Sequence, residues 1–352
     1  MKVAITADIH LKTMTETPER FHALENIFQQ LKQREISNLF IAGDLFDRES
    51  FNYNDLDELC RKYSDIYLTI IPGNHDLQIE KRFFTATNIE IIREPFIKEI
   101  DELSFLFIPC DSTKTIDEVL TEFIRNNRLP ERWILIGHGD YITRKRELNS
   151  YEPGFYMPVL SKTINKHNPL RVILGHIHKP SEFGKVIYPG SPCGLDITET
   201  GKRSFIIYDT LTDSVNRSFV QTDTIYLTIS ILVFPVEEEI SSLRDKFNQM
   251  VKSWGLTEDE LKKVKLRFTI KGWTNDLPKL KNGIIELLKS QGVSLYDTYG
   301  PNISKLKILR DIDSDRISIL EKVRQKIDSL PLQSFLTSKD EILEEAMRLI
   351  FE

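Results

Sequence analysis

The sequence predicts a mixed α/β chain with more than one core. Three observations carry this. Short apolar, β-branched runs recur through the first two thirds, and each is followed by a loop rich in Gly, His and Asp. Segments of helical periodicity lie between those runs. A chain of 352 residues is also too long for one ordinary core.

The strand readings, in order, are Val3 to Thr6, Leu39 to Ala42, Ile66 to Ile71, Phe105 to Pro109, Trp133 to Ile136, Val172 to Leu174, Lys185 to Tyr188 and Ser204 to Tyr208. Thr17-Pro18-Glu19 starts a helix, because proline is tolerated in a first turn, and Phe21, Leu24, Ile27, Phe28 and Leu31 give it one apolar face. After residue 222 a second unit is expected. It opens with a strand at Tyr226 to Val233 and a helix from Glu237 to Trp254. A strictly alternating strand follows, with Leu266, Phe268 and Ile270 on one face and Lys265, Arg267, Thr269 and Lys271 on the other. A helix at Leu277 to Ser290 and a strand at Ser294 to Tyr296 complete it. From Lys305 the chain reads as helical: Leu320, Val323, Ile327 and Leu330 follow a coiled-coil-like spacing, Pro331 interrupts, and Ser338 with Glu341 forms a capping box. The expected divisions are 1–222, 223–304 and 305–352.

Five motifs follow strands: Asp8-Ile9-His10, Gly43-Asp44-Leu45-Phe46-Asp47, Gly73-Asn74-His75-Asp76, Gly137-His138 and Gly175-His176-Ile177-His178. They hold five of the seven histidines, leaving His22 and His167 outside. Any one motif alone is weak, since Asp-x-His is common and Asn-His-Asp after Pro-Gly is ordinary turn chemistry. Five in order, each behind a strand, describe a site carried on loop tips by a rigid scaffold. The four glycines are expected to allow sharp exits from the strands. Imidazole nitrogen mixed with carboxylate and amide oxygen suits divalent metals such as Mn, Fe or Zn. Two such cations roughly 3.5 to 4 Å apart can clamp the attacking and leaving oxygens of an in-line displacement at phosphorus. One carboxylate has to bridge them, and Asp44 is the expected one.

These motifs resemble those of the calcineurin-like metallophosphoesterase superfamily. The resemblance implies a two-sheet β-sandwich flanked by helices, with a small α/β cap and C-terminal helices. It also implies one metal held by Asp8, His10, Asp44 and His178, and a second held by Asp44, Asn74, His138 and His176. His75 then resembles the family's catalytic histidine, with Asp47 orienting its ring and Arg48 a candidate phosphate contact. Tyr188-Pro189-Gly190-Ser191-Pro192, Gly201-Lys202-Arg203-Ser204-Phe205 and the Gly43 to Arg48 segment look like the SbcD-type nuclease subunit of DNA double-strand-break repair complexes. That branch implies a manganese-dependent 3′ to 5′ exonuclease with single-strand endonuclease activity, a homodimer, and a coiled-coil ATPase partner of the SbcC type gripped by the terminal helices. No Gly-x-x-x-x-Gly-Lys-Ser/Thr loop occurs, so nucleotide hydrolysis would come from another chain. The chain departs from the branch at Asn52 to Asn54, which lacks a proline, at Leu77, and at Asp140 behind His138.

Composition is that of a globular protein, with 40% hydrophobic and 28% charged residues. The first residues run directly into a strand, and the apolar stretch from Tyr226 to Phe234 is interrupted by Thr228 and Ser230, so a cytoplasmic location without membrane attachment is expected. Cys60, Cys110 and Cys193 are unclustered and read as reduced packing residues. A net charge of −6 gives no global footprint for nucleic acid. Yet Val251 to Ser290 carries nine basic against five acidic residues, whereas Asp311 to Glu352 carries ten acidic against six basic. Lys265, Arg267 and Lys271 are therefore candidate DNA contacts, set against the simpler reading of a solvated sheet face. The rival functions are a stand-alone phosphatase or small-molecule phosphodiesterase, and a catalytically weak DNA-binding subunit.

Overall fold

The computed structural model describes residues 1–48, 52–143, 154–235, 239–309, 314–330 and 338–351. Pro331 and residues 236–238, at the expected start of a helix, lie outside them. The chain divides into two compact units, Met1–Asp223 and Thr224–Glu352.

In the first unit β1 (Lys2–Thr6), β2 (Asn38–Ala42), β3 (Tyr67–Ile71) and β4 (Ile89–Ile91) lie side by side and parallel. The chain then builds a second sheet from β5 (Phe96–Ile100), β6 (Leu103–Ile108) and β7 (Trp133–His138). A short pair, β8 (Tyr141–Ile142) and β9 (Val159–Leu160), precedes β10 (Arg171–Gly175), β11 (Ser181–Phe183) and β12 (Val186–Tyr188), which complete that sheet. Finally β13 (Ser204–Asp209) returns to pair antiparallel with β1, and β14 (Ser214–Phe219) forms the edge. The result is two six-stranded sheets.

Side-chain alternation makes the layers. Val3, Ile5 and Phe40 point into the space between the sheets and meet Phe105, Phe107, Ile134 and Ile173. Phe40 sits edge-on to both Phe105 and Phe107, with centroids 5.1 and 5.0 Å away. On the other side of the first sheet, Ala4, Leu39 and Ile41 pack on Phe21, Leu24, Ile27, Phe28 and Leu31 of helix α1 (Pro18–Gln33) and on Leu56 and Leu59 of α2 (Tyr53–Lys62). The second sheet's outer face is covered by α3 (Ile116–Asn126), whose capping box joins Thr115 and Glu118, and by α4 (Ser161–His167). The first unit is thus two sheets flanked by helices.

The second unit pairs β15 (Ile225–Val233) with a later parallel strand, reached through α5 (Glu239–Ser253) and the short α6 (Glu258–Leu261). That strand, β16 (Val264–Thr274), buries Leu266, Phe268 and Ile270 beneath α5 and α7 (Leu277–Ser290). Its other edge pairs with β17 (Ser294–Leu295) and then with β18 (Asn302–Ile308). The last strand corrects the sequence reading, in which Lys305 opened a helical tail. Lys305 to Ile308 are extended because β16 offers an unpaired edge, and helix α8 begins only at Ser314 (Ser314–Asp328). It packs with α9 (Lys339–Phe351), and Leu320, Ile327, Leu343 and Met347 close over Leu232, Phe234 and Trp273. Val323 packs beside them, whereas Leu330 is 39% exposed and lies off that seam. Ser338 and Glu341 form the expected reciprocal cap. No helix among the described residues is long and apolar enough to cross a membrane.

Candidate metal centre

All five motifs meet where parallel strands of both sheets end. Asp8 and Asp44 each stand two residues beyond their strands, while the sequence reading is corrected at β7: Gly137 and His138 are its last residues rather than a loop after it. Gly175 likewise ends β10 and pairs with His138. The loops after β1 and β2 run together: the Asp8 amide donates to Gly43 O, the Ile9 and His10 amides to Asp44 O, and the Leu11 amide to Leu45 O.

Backbone strain is concentrated here, on side-chain-bearing residues as well as on glycine. Asp8 (φ 56°), His10 (53°), Asp44 (50°) and His176 (95°) all occupy the left-handed region, which costs a side-chain-bearing residue of order 1 to 3 kcal/mol. Gly43 shares that conformation at φ +89°, whereas Gly175 is required for close approach: a Cβ there would stand 2.0 Å from Ala42 O.

The side chains converge tightly. Asp8, His10 and His178 bring one donor atom each within 4.8 Å of one another, as do Asp8, Asp44 and His138, and as do His10, Asp44 and His75. Asp44 Oδ2 lies 3.8 Å from His10 Nε2 and 3.3 Å from His138 Nε2, between the two halves of the cluster. Asn74 Oδ1 is 2.9 Å from the same His138 nitrogen, and His138 Nδ1 is 2.9 Å from Ala42 O. His10 Nε2 and His178 Nε2 are 3.1 Å apart. The His176 amide donates to Asp8 Oδ1, and its ring lies against Tyr156 and 5.6 Å from that of His138, although it joins none of the three carboxylate–imidazole groups. His75 Nδ1 is 3.2 Å from Asp47 Oδ1, and the His75 amide donates to Asp44 Oδ1. The Arg48 side chain is exposed, and its amide donates to Asp47 Oδ1. Lys265, Arg267 and Lys271 belong to the second unit.

This donor set fits divalent cations. Asp8 Oδ2 is fully buried with no hydrogen-bond partner among the described residues. Burial alone would lower the pKa of His138, but the adjoining Asp44 carboxylate, with Asp8 behind it, raises it to about 10. Burial likewise works against ionised Asp44 and Asp47, yet contacts with His138 and His10 hold Asp44 below the usual carboxylate range, and contacts with His10 and His75 do the same for Asp47. Asp8 is raised and His10 lowered, both chiefly by burial. A buried field that draws protons onto imidazole favours cations in their place. The cysteines play no part: burial pushes the Cys60, Cys110 and Cys193 thiols up to about 12.

Several buried partners had no role assigned to them from sequence. Asp76 accepts from the amides of Gly73, Leu45 and Phe46 and so latches two motifs together. Arg20, inside the apolar face of α1, donates Nη1 to His10 O and stands 3.6 Å from Asp47. Asp140 accepts from the Tyr156 amide and lies 4.0 Å from His176 Nε2. Asp140 stood out in the sequence by position. Asp76 was visible as the last letter of its motif.

Two sheets carrying buried histidines and carboxylates at their strand ends define a metal-dependent hydrolase of phosphoesters. The calcineurin-like phosphoesterase family model matches residues 1–192, more than half the chain, and the chain belongs to that family. Among solved structures it is similar to an archaeal phosphodiesterase, with 16% identity over 62% of this chain and 99% of the other and a TM-score of 0.34. It is similar to the phosphoesterase Yfce from E. coli, with 13% identity over 63% and 100% and a TM-score of 0.32. The nuclease MPE of Pseudomonas putida matches at 13% identity over 41% and 64%, with a TM-score of 0.25. No curated protein matches. Divalent metal ions, when bound, supply charge neutralisation at phosphorus and an activated water.

Proposed function

We propose that this chain is a manganese-dependent DNA nuclease, a 3′ to 5′ exonuclease with single-strand endonuclease activity, working as a homodimer with an SbcC-type coiled-coil ATPase in DNA repair. Asp8, His10, Asp44 and His178 would hold one cation and Asp44, Asn74, His138 and His176 the other. His75 Nδ1 lies 3.2 Å from Asp47 Oδ1; with the ring charged, Nδ1–H would donate to that carboxylate and the second proton, at Nε2, would pass to the departing oxygen.

The observation that carries the DNA reading is the second unit's outward sheet row. Lys265 is exposed, and Arg267 lies 4.9 Å over the Tyr296 ring and 3.7 Å from Asp297. Cations interleaved with aromatic rings suit a phosphate backbone with stackable bases. Lys271 is engaged by Glu344 of α9 and Arg267 by Asp297, which leaves Lys265 as the exposed cation of the row. The partner reading draws support from Ile319 and Leu349, exposed at 49% and 77% on α8 and α9, as apolar positions a partner helix can cover.

The test is cleavage of labelled duplex and single-stranded DNA beside p-nitrophenyl phosphate mono- and diesters, with Mn2+ and with a chelator. DNA degradation that the chelator abolishes is expected. Fast turnover of the small esters with intact DNA assigns a small-molecule phosphodiesterase instead, a reading favoured by the acids that engage Arg267 and Lys271.

A further inference from the structure

A further buried acid, Glu199, borders the pocket, with no part in the proposed chemistry. Glu199 lies after β12, in a stretch with no assigned role beyond its turn. Its Oε1 is 2.7 Å from His178 Nδ1. Its Oε2 accepts from Arg203 Nη2 at 3.1 Å, Ser191 Oγ at 3.0 Å and the Leu195 amide at 3.1 Å. Arg203 in turn donates Nε to Ser191 O at 3.0 Å and Nη2 to His178 O and Ser191 Oγ. Glu199 and Arg203 are 7% and 2% exposed.

Removing a carboxylate and a guanidinium from water is costly, and an apolar pair of similar volume would avoid that cost. The fold accepts it against one imidazole. Loop geometry also depends on it, since Arg203 and Ser191 tie the turn at Pro189–Pro192 to the end of the His178 motif.

We infer that Glu199 is the positioning residue for His178, held in place by Arg203 and Ser191. By accepting a hydrogen bond from Nδ1–H it leaves the lone pair on Nε2, which faces His10 Nε2 across 3.1 Å. A neutral ring fixed this way presents only an acceptor to the pocket, the form in which imidazole binds a metal. His75 is likewise bordered by a buried carboxylate beside a buried arginine, with Asp47 Oδ1 3.2 Å from its Nδ1 and Arg20 3.6 Å from Asp47. The inference rests on His178 being a ligand.

The experiment is calorimetric titration of Mn2+ into the metal-stripped full chain, with bound metal counted by mass spectrometry, for wild type, Glu199→Gln and Glu199→Ala. Outer carboxylates of this kind tune affinity by about 10- to 100-fold. Glu199→Gln, which keeps the shape and an acceptor oxygen, is expected to weaken one of the two sites about 10-fold, and Glu199→Ala about 100-fold, with the other site unchanged. If Glu199→Ala does not fold, the Gln variant decides. Folded variants that bind both ions as wild type does overturn the inference and leave the metal centre intact. A wild-type chain that takes up no Mn2+ overturns the ligand reading instead.

Discussion

Adding one methyl group at Gly43 tests the geometry of the whole pocket. The new Cβ would stand 2.1 Å from His138 Nδ1 and 2.6 Å from its Cγ, in a backbone held at φ +89°. Left-handed backbone costs an alanine about 1 to 2 kcal/mol. Relief of the clash moves the His138 ring by roughly 1 Å, which disrupts its 2.9 Å contact with Ala42 O. Leaving that buried group without its partner costs about 1 to 3 kcal/mol more, so a destabilisation on the order of 2 to 5 kcal/mol is expected. The same movement takes Nε2 away from Asn74 at 2.9 Å and Asp44 at 3.3 Å. A misplacement of about 1 Å near reacting groups can lower a rate by about 100-fold. Urea denaturation and hydrolysis of a p-nitrophenyl phosphodiester at saturating Mn2+ measure the two effects. A Gly43→Ala protein within about 0.5 kcal/mol and threefold of wild type would refute the placement of His138.

Asp47→Asn removes the charge that orients His75, and kcat should fall about 100-fold or more while bound metal is unchanged; loss of metal along with rate would make Asp47 a ligand. Glu239, at the start of α5, has its pKa raised to about 7 by burial and by Asp276, with a hydrogen bond from Thr274 opposing. Its folded value lies above its unfolded value, so its favourable contribution is complete below about pH 4.5 and is lost as pH rises through 7. Discounted for solvent screening, the loss is about 1 to 3 kcal/mol. Glu239→Gln should flatten that part of the stability profile, and an unaltered profile would exclude Glu239 as its source. Lys265→Glu with Arg267→Glu should weaken DNA binding and reduce its salt slope by about one unit for each phosphate no longer neutralised, with small-ester hydrolysis unaffected. An equal drop on both substrates would place the effect on folding.

Much of the first unit could be read from the chain, because continuous apolar, β-branched runs ending in Gly, His and Asp report directly which segments are buried strands and which residues stand at their ends. The helical face from Phe21 to Leu31 was equally plain, since five buried residues repeat at one period. The strand from Asn302 to Ile308 was not. Its buried-side residues Ile303 and Leu306 are three apart, which suits a helix as well, and only the free edge of β16 makes them extended, across a register shift between Thr269 and Lys271. Sequence alone therefore determined the candidate donor types and the strands that carry them, since both depend on local pattern. The tertiary structure decided which charges are buried beside those donors. Arg20 and Glu199 look like ordinary solvated or turn residues along the chain, and they become part of the site because contacts between distant segments remove them from water and leave the pocket's own groups as their partners.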